Sequence, residues 1–537
     1  MSLTWTAVTA PTATGLAASV SARAGRARTA FRRLVPGRGR AECAQDPIAP
    51  PARRSARRRG WPGRATDVQR LARFVVRARY GQLSAQAVEQ LKLRVLDSLG
   101  CALGALGAEP AQMVHEHVKE LGGARLCTLI GGGRSAPDRA ALHNGALVRY
   151  LDFNDSYMAP GETCHPSDNF APVLAACEYA HASGTELITA LAVAYQVQCR
   201  LSEVAPVRAR GFDHTTQGAY AVAAGVANAL GLDEHRTANA LAIAGTALNA
   251  LRVTRTGELS NWKGLAYPFM AAAATQATLL AMRGVSAPSE VFEGSKGFME
   301  SIAGTFEIDW QREDLEAVTR TILKKHNAEI HSQSAIEALL ELRAEHGLSA
   351  AEVGRIELDT FQVAFDIIGG GEEGDKHLVR TKEEADHSLP YLLAVALLDG
   401  QVMPEQYRAE RIAAEDVQRL MRRVHVHPDT ALSSRFPAHH SARVRLYLRN
   451  GRVLERERRD YEGFLTRPMS SDAVAAKFDR LSAPHVPQEA RGQIREAVGM
   501  LEEIEARKLA SLLALEGAPA GADNMSATRR PEQGGSR

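Results

Sequence analysis

The 537-residue sequence predicts a mainly α-helical protein in which a large all-helical domain is combined with a smaller α+β domain. Apolar residues recur at intervals of three and four through residues 66–320, and many of these segments are rich in alanine. After about residue 350, apolar and charged residues alternate, which is typical of half-buried strands. Strands and helices do not alternate regularly and no repeat of about 34 or 40 residues occurs, which disfavours a Rossmann sheet or a solenoid.

The helices of the first domain are predicted from apolar spacing and from start signals. Ser84 can cap a helix whose apolar residues continue to Leu103. Pro137 and Asp138 begin another helix, which ends near Leu151. Further helices are predicted over 171–182, 185–203, 216–230, 234–249, 264–283 and 288–293.

The second domain is predicted to contain strands as well as helices. Val353–Phe361 and Arg422–His427 alternate in the manner of strands. Ser441–Leu448 and Arg452–Arg456 flank Asn450-Gly451, a pair that can supply two turn positions with positive φ, and they therefore predict a β-hairpin. Helices are predicted over 333–345, 388–399, 414–421, 471–479 and about 487–513.

Charge is distributed unevenly along the chain. Residues 1–65 contain 13 arginines, no lysine and two acidic residues, so they carry +11, whereas the other 52 basic and 60 acidic residues carry −8. An acidic body argues against nucleic acid as a partner. Residues 1–65 lack apolar periodicity and are predicted to be a disordered, Arg-rich tail, and 514–537 are predicted to be a second disordered tail.

Cysteine usage and hydropathy narrow the class of protein further. The six cysteines show no CxxC and no zinc-type spacing with histidine, so we expect no structural zinc, disulfide framework or iron–sulfur cluster. The longest uncharged stretches, His214–Leu232 and Gly264–Met282, contain polar residues or proline and are interpreted as buried helices. We therefore expect no membrane partner, and a reducing compartment.

One loop, residues 151–169, contains three aspartates, a glutamate and a histidine between two predicted helices. Phe153, Tyr157 and Met158 indicate that part of this loop is buried. A buried carboxylate beside a histidine can orient the imidazole and tune its pKa, which suits general acid–base catalysis. The alternative interpretation is a solvated polar loop.

Three other segments contain basic side chains near predicted helix ends. His214 precedes a helix whose N-terminus favours anions, although its neighbours also fit a simple helix cap. Lys263 precedes another helix and Lys324 lies where the composition changes, and both also fit exposed lysines. His425 and His427 share a strand face without further ligands, so no metal site is predicted.

These segments, in this order, resemble the MmgE/PrpD family. Leu151-Asp-Phe-Asn-Asp-Ser, followed by His165-Pro-Ser-Asp-Asn169, is similar to the family's D-F-N-D-T and H-P-S-D-N loop. Trp262-Lys263-Gly264 is similar to its W-K-G segment, and Asp386-His387-Ser-Leu-Pro-Tyr391 to D-H-x-x-x-Y. Residues 324–335 are similar to K-x-F-P-x-E-Y-H-A-Q-S-A, and the resemblance covers about residues 66–505.

The resemblance implies an all-helical domain over 66–321, completed by about 462–513, and an α+β lid domain over 322–461. It implies an active site in the cleft between them, a homodimer, and catalysis without metal or organic cofactor. Carried over residue by residue, the catalytic residues are His165, Asp152, Tyr391 and Ser156, and the substrate-binding residues are His214, Lys263 and Lys324.

The reaction implied by the resemblance is dehydration of 2-methylcitrate or a related hydroxy-polycarboxylate. Removal of a proton beside a carboxylate develops negative charge, which nearby cations stabilise. His165, oriented by Asp152, is expected to transfer the proton, and Tyr391 or Ser156 to donate a hydrogen bond to the departing hydroxyl. One alternative is a lyase of the cis-aconitate decarboxylase type, in which His165 protonates the carbanion left by CO₂, or another lyase of the same family. The other is a catalytically degenerate helical scaffold.

Departures from the family pattern leave two points open. Lys325 beside Lys324 leaves the register of the site lysine open, and the unusual Met158–Cys164 leaves the substrate open. Ser156 replaces the usual threonine but keeps the hydroxyl. The expected location is the cytoplasm, or the mitochondrial matrix if the Arg-rich N-terminus is a transit peptide. The same tail could instead bind RNA or a membrane.

Overall fold

The computed structural model describes residues 65–515. The predicted tails therefore lie almost entirely outside the described residues. Within the described part the fold is mainly α-helical with a smaller α+β part toward the C-terminus, which confirms the predicted fold class. The first part contains α1 Asp67–Arg77, α2 Ala85–Gly104, α3 Glu109–Leu121, α4 Pro137–Tyr150, α5 Phe170–Ala180, α6 Gly184–Val204, α7 Thr215–Ala229, α8 Glu234–Ala247 and α9 Trp262–Met282.

The starts of these helices follow from local chemistry. Ser84 caps α2, because its hydroxyl oxygen accepts a hydrogen bond from the Ala87 N–H at 3.0 Å. The predicted helix over 288–293 is wrong. A single turn closes where the Gly294 N–H donates to Glu290 O at 2.8 Å, and Lys296, with φ +61°, then reverses the chain. Two antiparallel pairs of short strands connect the helices: β1 Cys127–Thr128 with β2 Arg134–Ser135, and β3 Tyr157–Ala159 with β4 Glu162–Cys164.

The second part is built on one four-stranded sheet. Its strands are β5 Val353–Thr360, β6 Val424–Pro428, β7 Ala442–Leu448 and β8 Val453–Arg458, in the order β6-β5-β7-β8. β5 and β6 are parallel and the other pairs are antiparallel. Its helices are α10 Gln333–His346, α11 Gln362–Ala364, α12 Lys382–Ala385, α13 Leu389–Asp399, α14 Ala409–Ile412, α15 Glu415–Met421 and α16 Thr430–Ser433.

The predicted hairpin of β7 and β8 is confirmed, but its turn differs from the predicted type. Gly451 has φ +87°, whereas Asn450 is not in the positive-φ region. Asn450 instead accepts a hydrogen bond from the Arg452 N–H through its side chain, and Leu448 N donates to Arg452 O at 2.8 Å. The loop therefore has three residues, with glycine at the left-handed position.

The C-terminal segment returns to the first part as α17 Ser471–Ser482, α18 Gln488–Gly499 and α19 Ala506–Leu512. The predicted continuous helix over 487–513 is wrong, because the backbone near residue 504 pairs with the start of α6. Gly184 N donates to Ile504 O at 2.7 Å, and Ala506 N donates to Ala182 O at 3.0 Å. A Cβ at Gly184 would lie 1.6 Å from Leu501 O, so this close approach requires glycine.

Two large hydrophobic clusters form the interior. The helical core combines residues between 68 and 323 with residues between 474 and 513, and α17 packs against α2. The sheet core combines residues between 328 and 454, and α10 and α13 pack on the sheet. The domain boundaries at 66–321 and 322–461 stay a prediction.

Helix α9 is long and apolar enough to cross a membrane by length and composition alone. It packs against α4, α7 and α8, and 56% of its most apolar stretch is buried in the protein. Trp262 and Phe269 on its outer face are exposed, and their rings lie 5.4 Å apart. These contacts agree with the interpretation of this stretch as a core helix.

Candidate active site

A narrow polar cleft, partly open to solvent, lies where loops of the helical part meet residues 324–331 and 367–387. Of the predicted site residues, Asp152, His165, His214 and Lys324 line it. The other titratable lining residues are Arg149, Glu162, Arg208, Arg252, Arg255, Glu329, His331, Glu373 and His387.

Asp152 is the point at which three cations converge. It follows α4 with φ +52°, and its carboxylate accepts hydrogen bonds from Arg149 at 2.7 Å and from Lys324 at 2.8 Å. Its second oxygen lies 3.4 Å from Lys263 Nζ. Burial alone would raise the pKa of the Asp152 carboxyl, but Arg149, Lys324 and Lys263 together hold it well below its usual range. Asp152 is therefore ionised, and its charge offsets part of this cationic cluster.

His165 is held in one tautomer by its neighbours. Its Nδ1 lies 2.8 Å from the carbonyl oxygen of Asp155 and 3.1 Å from Ser156 Oγ. A carbonyl oxygen can only accept, so Nδ1 carries the proton and Nε2 has a free lone pair. Burial, together with Arg149 and Lys324, holds the pKa of His165 well below its usual range. At neutral pH this side chain is a neutral base.

The orienting contact of His165 thus differs from the predicted contact with Asp152. The Asp152 carboxylate accepts hydrogen bonds from Arg149 and Lys324. The backbone carbonyl of Asp155, in the same loop, orients the imidazole instead. That loop is fixed from several sides. Asp155 accepts hydrogen bonds from the Ser167 N–H at 3.0 Å and the Tyr195 hydroxyl at 2.9 Å, and the Ser156 backbone pairs with Ile322.

A buried network behind the cleft joins Lys263 to a second histidine. Lys263 Nζ donates to Asp386 Oδ1 at 2.8 Å, and Lys382 Nζ donates to the other oxygen of Asp386 at 2.7 Å. His387 Nδ1 lies 2.6 Å from Asp386 Oδ1, an acceptor, and 2.9 Å from Lys263 Nζ, a donor. Burial and Lys263 lower the pKa of His387, against the opposing effect of Asp386. Lys263 is therefore a support of this network, and His387 lines the cleft.

The same network bears on metal binding. Ligand atoms of Asp152, Asp386 and His387 lie within 4.8 Å of one another, a spacing that a metal ion can use. The ammonium group of Lys263 lies 3.4 Å, 2.8 Å and 2.9 Å from these three side chains. A lysine cation therefore occupies the position between them, and these residues fit an ammonium group better than a metal ion.

His214, directly before α7, lies against His165. The two rings meet edge to face with centroids 5.5 Å apart, and His214 Nδ1 lies 3.3 Å from the Asp213 carboxylate. Burial lowers the pKa of His214, although Asp213 opposes this shift. Its Nε2 is buried and has no hydrogen-bond partner within residues 65–515. The Nε2 atom of His214 is therefore free to form a hydrogen bond with a ligand, and its predicted contact with a substrate carboxylate stays a prediction.

The register of the site lysine is clear from the contacts. Lys324 is buried in the cleft and donates to both the carboxylate and the carbonyl oxygen of Asp152. Lys325 points elsewhere and pairs with Glu462 at 2.8 Å. Of the two lysines that the sequence leaves open, Lys324 is the one in the cleft.

Two predicted catalytic residues do not line the cleft. Tyr391 is buried in the sheet core, and its hydroxyl donates to the carbonyl oxygen of Gln406. Ser156 is fully buried behind His165 and contacts it at Nδ1. Packing of α13 turns Tyr391 inward, so the hydroxyl is engaged away from the cleft.

The sequence interpretation missed the arginines of the cleft. Arg149, Arg252 and Arg255 lie near predicted helix ends in segments without a recognised catalytic pattern. A usable signal was present, since two arginines within four residues precede the Trp262-Lys263-Gly264 segment. His387 belongs to the Asp386–Tyr391 motif, and Asp386, the carboxylate that contacts it, directly precedes it in sequence.

Comparison with known proteins identifies the family of this chain. Residues 69–311 match the MmgE/PrpD N-terminal domain, and residues 326–503 match the MmgE/PrpD C-terminal domain. A 2-methylcitrate dehydratase of Cupriavidus necator is 30% identical over 366 residues, which are 63% of this chain and 72% of the relative. A mitochondrial 2-methylcitrate dehydratase of Yarrowia lipolytica is 25% identical over 402 residues, or 69% and 75% of the two chains.

A fungal alkylcitrate dehydratase is also similar, with 27% identity over 428 residues that cover 73% of this chain and 83% of the relative. The two domain matches together cover more than half of the chain. On this evidence, the chain belongs to the MmgE/PrpD family.

Proposed function

We propose that this chain is a cofactor-independent lyase that dehydrates 2-methylcitrate or a related hydroxy-polycarboxylate. The observation that carries the proposal is the unprotonated Nε2 of His165 at a cleft lined by arginines and a lysine. The names of the relatives, 2-methylcitrate dehydratase and alkylcitrate dehydratase, support the same reaction type.

The proton is transferred by His165. Its Nε2 removes the proton from the carbon beside a substrate carboxylate, and the C–H electron pair becomes the new C=C bond as the C–O bond breaks. The proton then passes from His165 to the departing hydroxyl, so water leaves and the histidine returns to its neutral form. Asp152, whose charge favours protonated His165, stabilises the intermediate imidazolium.

The developing charge is held by the cations of the cleft. Lys324 has three N–H donors, and its hydrogen bonds within residues 65–515 are the two to Asp152. The third donor and the Arg149 guanidinium are available to a substrate carboxylate, whose negative charge grows in the transition state. His214 Nε2 is free to form a hydrogen bond with the substrate beside His165.

The test is to incubate the pure protein separately with 2-methylcitrate and cis-aconitate and to follow the products by mass spectrometry. Loss of water from 2-methylcitrate supports the proposal. Loss of CO₂ from cis-aconitate without dehydration of 2-methylcitrate would replace it with the decarboxylase alternative. Citrate is tested in the same way, and the absence of turnover with all three compounds would favour the degenerate scaffold.

A further inference from the structure

Two arginines at the cleft are bridged by one carboxylate of the protein itself. Glu373 Oε1 accepts hydrogen bonds from Arg208 Nη2 at 3.2 Å and from Arg252 Nη2 at 2.9 Å. All three side chains line the cleft. The Glu373 side chain is 6% exposed, whereas Arg208 and Arg252 are 24% and 16% exposed. A charge-assisted arginine pair of this kind matches the geometry of a carboxylate ligand.

The arginines are fixed from the side of the helical core. They lie in two short 3₁₀ turns, Arg208–Arg210 and Arg252–Arg255. Backbone hydrogen bonds tie the turns together, since Arg252 N donates to Gly211 O and Asp213 N donates to Ala250 O, each at 2.9 Å. The backbone of both turns is therefore held without Glu373.

The neighbouring carboxylate of Asp213 does not form a hydrogen bond with Arg208 or Arg252. Asp213 accepts from Arg255 Nε at 2.7 Å and also contacts His214. It lies 3.9 Å from the nearest guanidinium nitrogen of Arg252, beyond hydrogen-bond distance. Glu373 is thus the close carboxylate partner of both Arg208 and Arg252 in the described part of the chain.

Glu373 lies in a glycine-rich segment, residues 369–374, that comes from the opposite side of the cleft. Gly370 has φ +107° and Gly374 has φ +90°, and a Cβ at either position would meet no atom within 4 Å. The backbone of Glu373 is held in place, because its N–H donates to Asp366 O at 2.8 Å and the Gly371 N–H donates to Phe365 O at 3.0 Å. The carboxylate can therefore leave the arginines by rotation of the Glu373 side chain about its own single bonds.

We propose that Arg208 and Arg252 form a carboxylate subsite of the cleft, which Glu373 fills until a substrate carboxylate displaces it. The identification of the ligand as a polycarboxylate rests on the proposed function. Glu373 competes with the substrate for the same donors, so the affinity of the free enzyme is set partly by the release of the Glu373 carboxylate. Displacement also explains how a second carboxylate can be held away from Lys324 and Arg149.

The test measures the binding of propane-1,2,3-tricarboxylate, a tricarboxylate without the hydroxyl group that dehydration requires. Isothermal titration calorimetry on the full chain compares Glu373→Gln, Arg252→Gln and the unmodified protein. Glu373→Gln removes the competing charge and is expected to bind about tenfold more tightly, whereas Arg252→Gln is expected to bind about tenfold more weakly. Glu372→Gln, at an exposed neighbour in the same segment, is the matched control and is expected to change nothing.

The same variants are assayed for turnover of 2-methylcitrate, which separates this proposal from the proposed function. Tighter binding in Glu373→Gln supports the subsite even if no variant dehydrates the substrate. Unchanged or weaker binding in Glu373→Gln overturns the subsite even if the unmodified protein is an active dehydratase. If Arg252→Gln alters the melting temperature, Arg208→Lys provides a milder change, and unchanged affinity in that variant counts against the subsite.

Discussion

Two histidines of the cleft, His165 and His387, share one arrangement with different partners. The Nδ1 atom of each ring lies within hydrogen-bond distance of an oxygen acceptor. For His165 the acceptor is a backbone carbonyl, whereas for His387 it is the Asp386 carboxylate. Burial keeps both rings neutral, so the cleft presents bases at neutral pH. His165 is additionally close to Asp152, which stabilises its protonated form, and this favours His165 as the catalytic base.

His165→Ala should lower kcat by roughly 10²- to 10⁴-fold, because general acid–base catalysis contributes about that factor. The change removes the proton acceptor and leaves Lys324 and Arg149 in place. Steady-state kinetics with 2-methylcitrate measure the effect, and His117→Ala, at an exposed histidine on α3, is the control. A kcat equal to that of the unmodified protein would remove His165 from the mechanism.

The acid limb of the activity profile should lie at an unusually low pH. His165 acts as a base, so activity is lost as the pH falls through its pKa, and that pKa is held well below 6.5. The logarithm of kcat/KM should therefore stay level through pH 6.5 and fall at lower pH. Lys324→Met removes one of the cations that depress this pKa and should move the limb to higher pH. A limb at or above pH 6.5 in the unmodified protein contradicts the assignment.

At the scale of elements, the C-terminal helix α17 supports the cleft from behind. Lys477 Nζ donates to the carbonyl oxygens of Phe153 at 2.7 Å and Lys324 at 3.0 Å. It also pairs with buried Asp97 at 2.7 Å. One side chain of α17 thereby holds the two segments that carry Asp152 and Lys324.

Lys477→Ala should destabilise the protein by about 3–5 kcal/mol, because it breaks a buried ion pair and leaves Asp97 without its cation. It should also lower kcat at temperatures well below the melting point, since both cleft segments lose a backbone tether. Urea unfolding and steady-state kinetics test the two effects. Lys508→Ala on the exposed face of α19 is the control, and a Lys477→Ala variant with control-like stability would show that the ion pair contributes little.

Elements with strong local signals could be predicted from the sequence, and elements defined by tertiary contacts could not. The Ser84 cap and the alternation in β5 and β7 are local features, and the corresponding elements are present. The break between α18 and α19 depends on pairing with Gly184, which lies far away in sequence. The sequence near residue 500 contains no local pattern that predicts the hydrogen bond between Gly184 and Ile504.

The same distinction applies to the site. Asp152, His165 and Lys324 belong to motifs and do line the cleft. Tyr391 belongs to a motif as well, but the packing of α13 directs it into the sheet core. Arg252 belongs to no motif that the sequence interpretation used, and its place in the cleft depends on the turn that carries it. The catalytic roles themselves stay predictions.

At the scale of the whole molecule, the chain combines an acidic body with a cationic cleft. Residues 66–537 carry −8, yet five arginine and lysine side chains line the cleft beside four carboxylates. Two of those carboxylates, Glu162 and Glu329, have pKa values raised by burial, which weakens their negative charge. Local arrangement therefore provides the positive field that an anionic substrate needs.

The homodimer stays a prediction, and the exposed Trp262 and Phe269 of α9 are available to an interface.

Acidification should destabilise the folded protein well before its carboxylates titrate in the ordinary range. Burial lowers the pKa of His143 to about 4 and those of His326 and His331 to about 3, against an ordinary value of 6.5. Between pH 6.5 and about 4 these histidines bind protons in the unfolded chain and not in the folded one, so stability falls as pH falls. Asp168, with a pKa raised to about 7, binds a proton in the folded state and acts in the opposite direction.

Near pH 5 the three histidines are protonated in the unfolded chain and Asp168 is protonated in the folded one, so these four groups leave a net uptake of two protons on unfolding, or roughly 3 kcal/mol of lost stability per pH unit. Urea unfolding at pH 5.5, 5.0 and 4.5 measures this slope. His143→Gln keeps a donor near Ile130 O, which His143 Nε2 contacts at 3.0 Å, and removes one titrating group. The slope of that variant should be smaller by roughly 1.4 kcal/mol per pH unit. Stability that is constant or rises between pH 5.5 and 4.5 would mean that these histidines are solvated enough to protonate in the folded protein, and the buried environment assigned to them would be wrong.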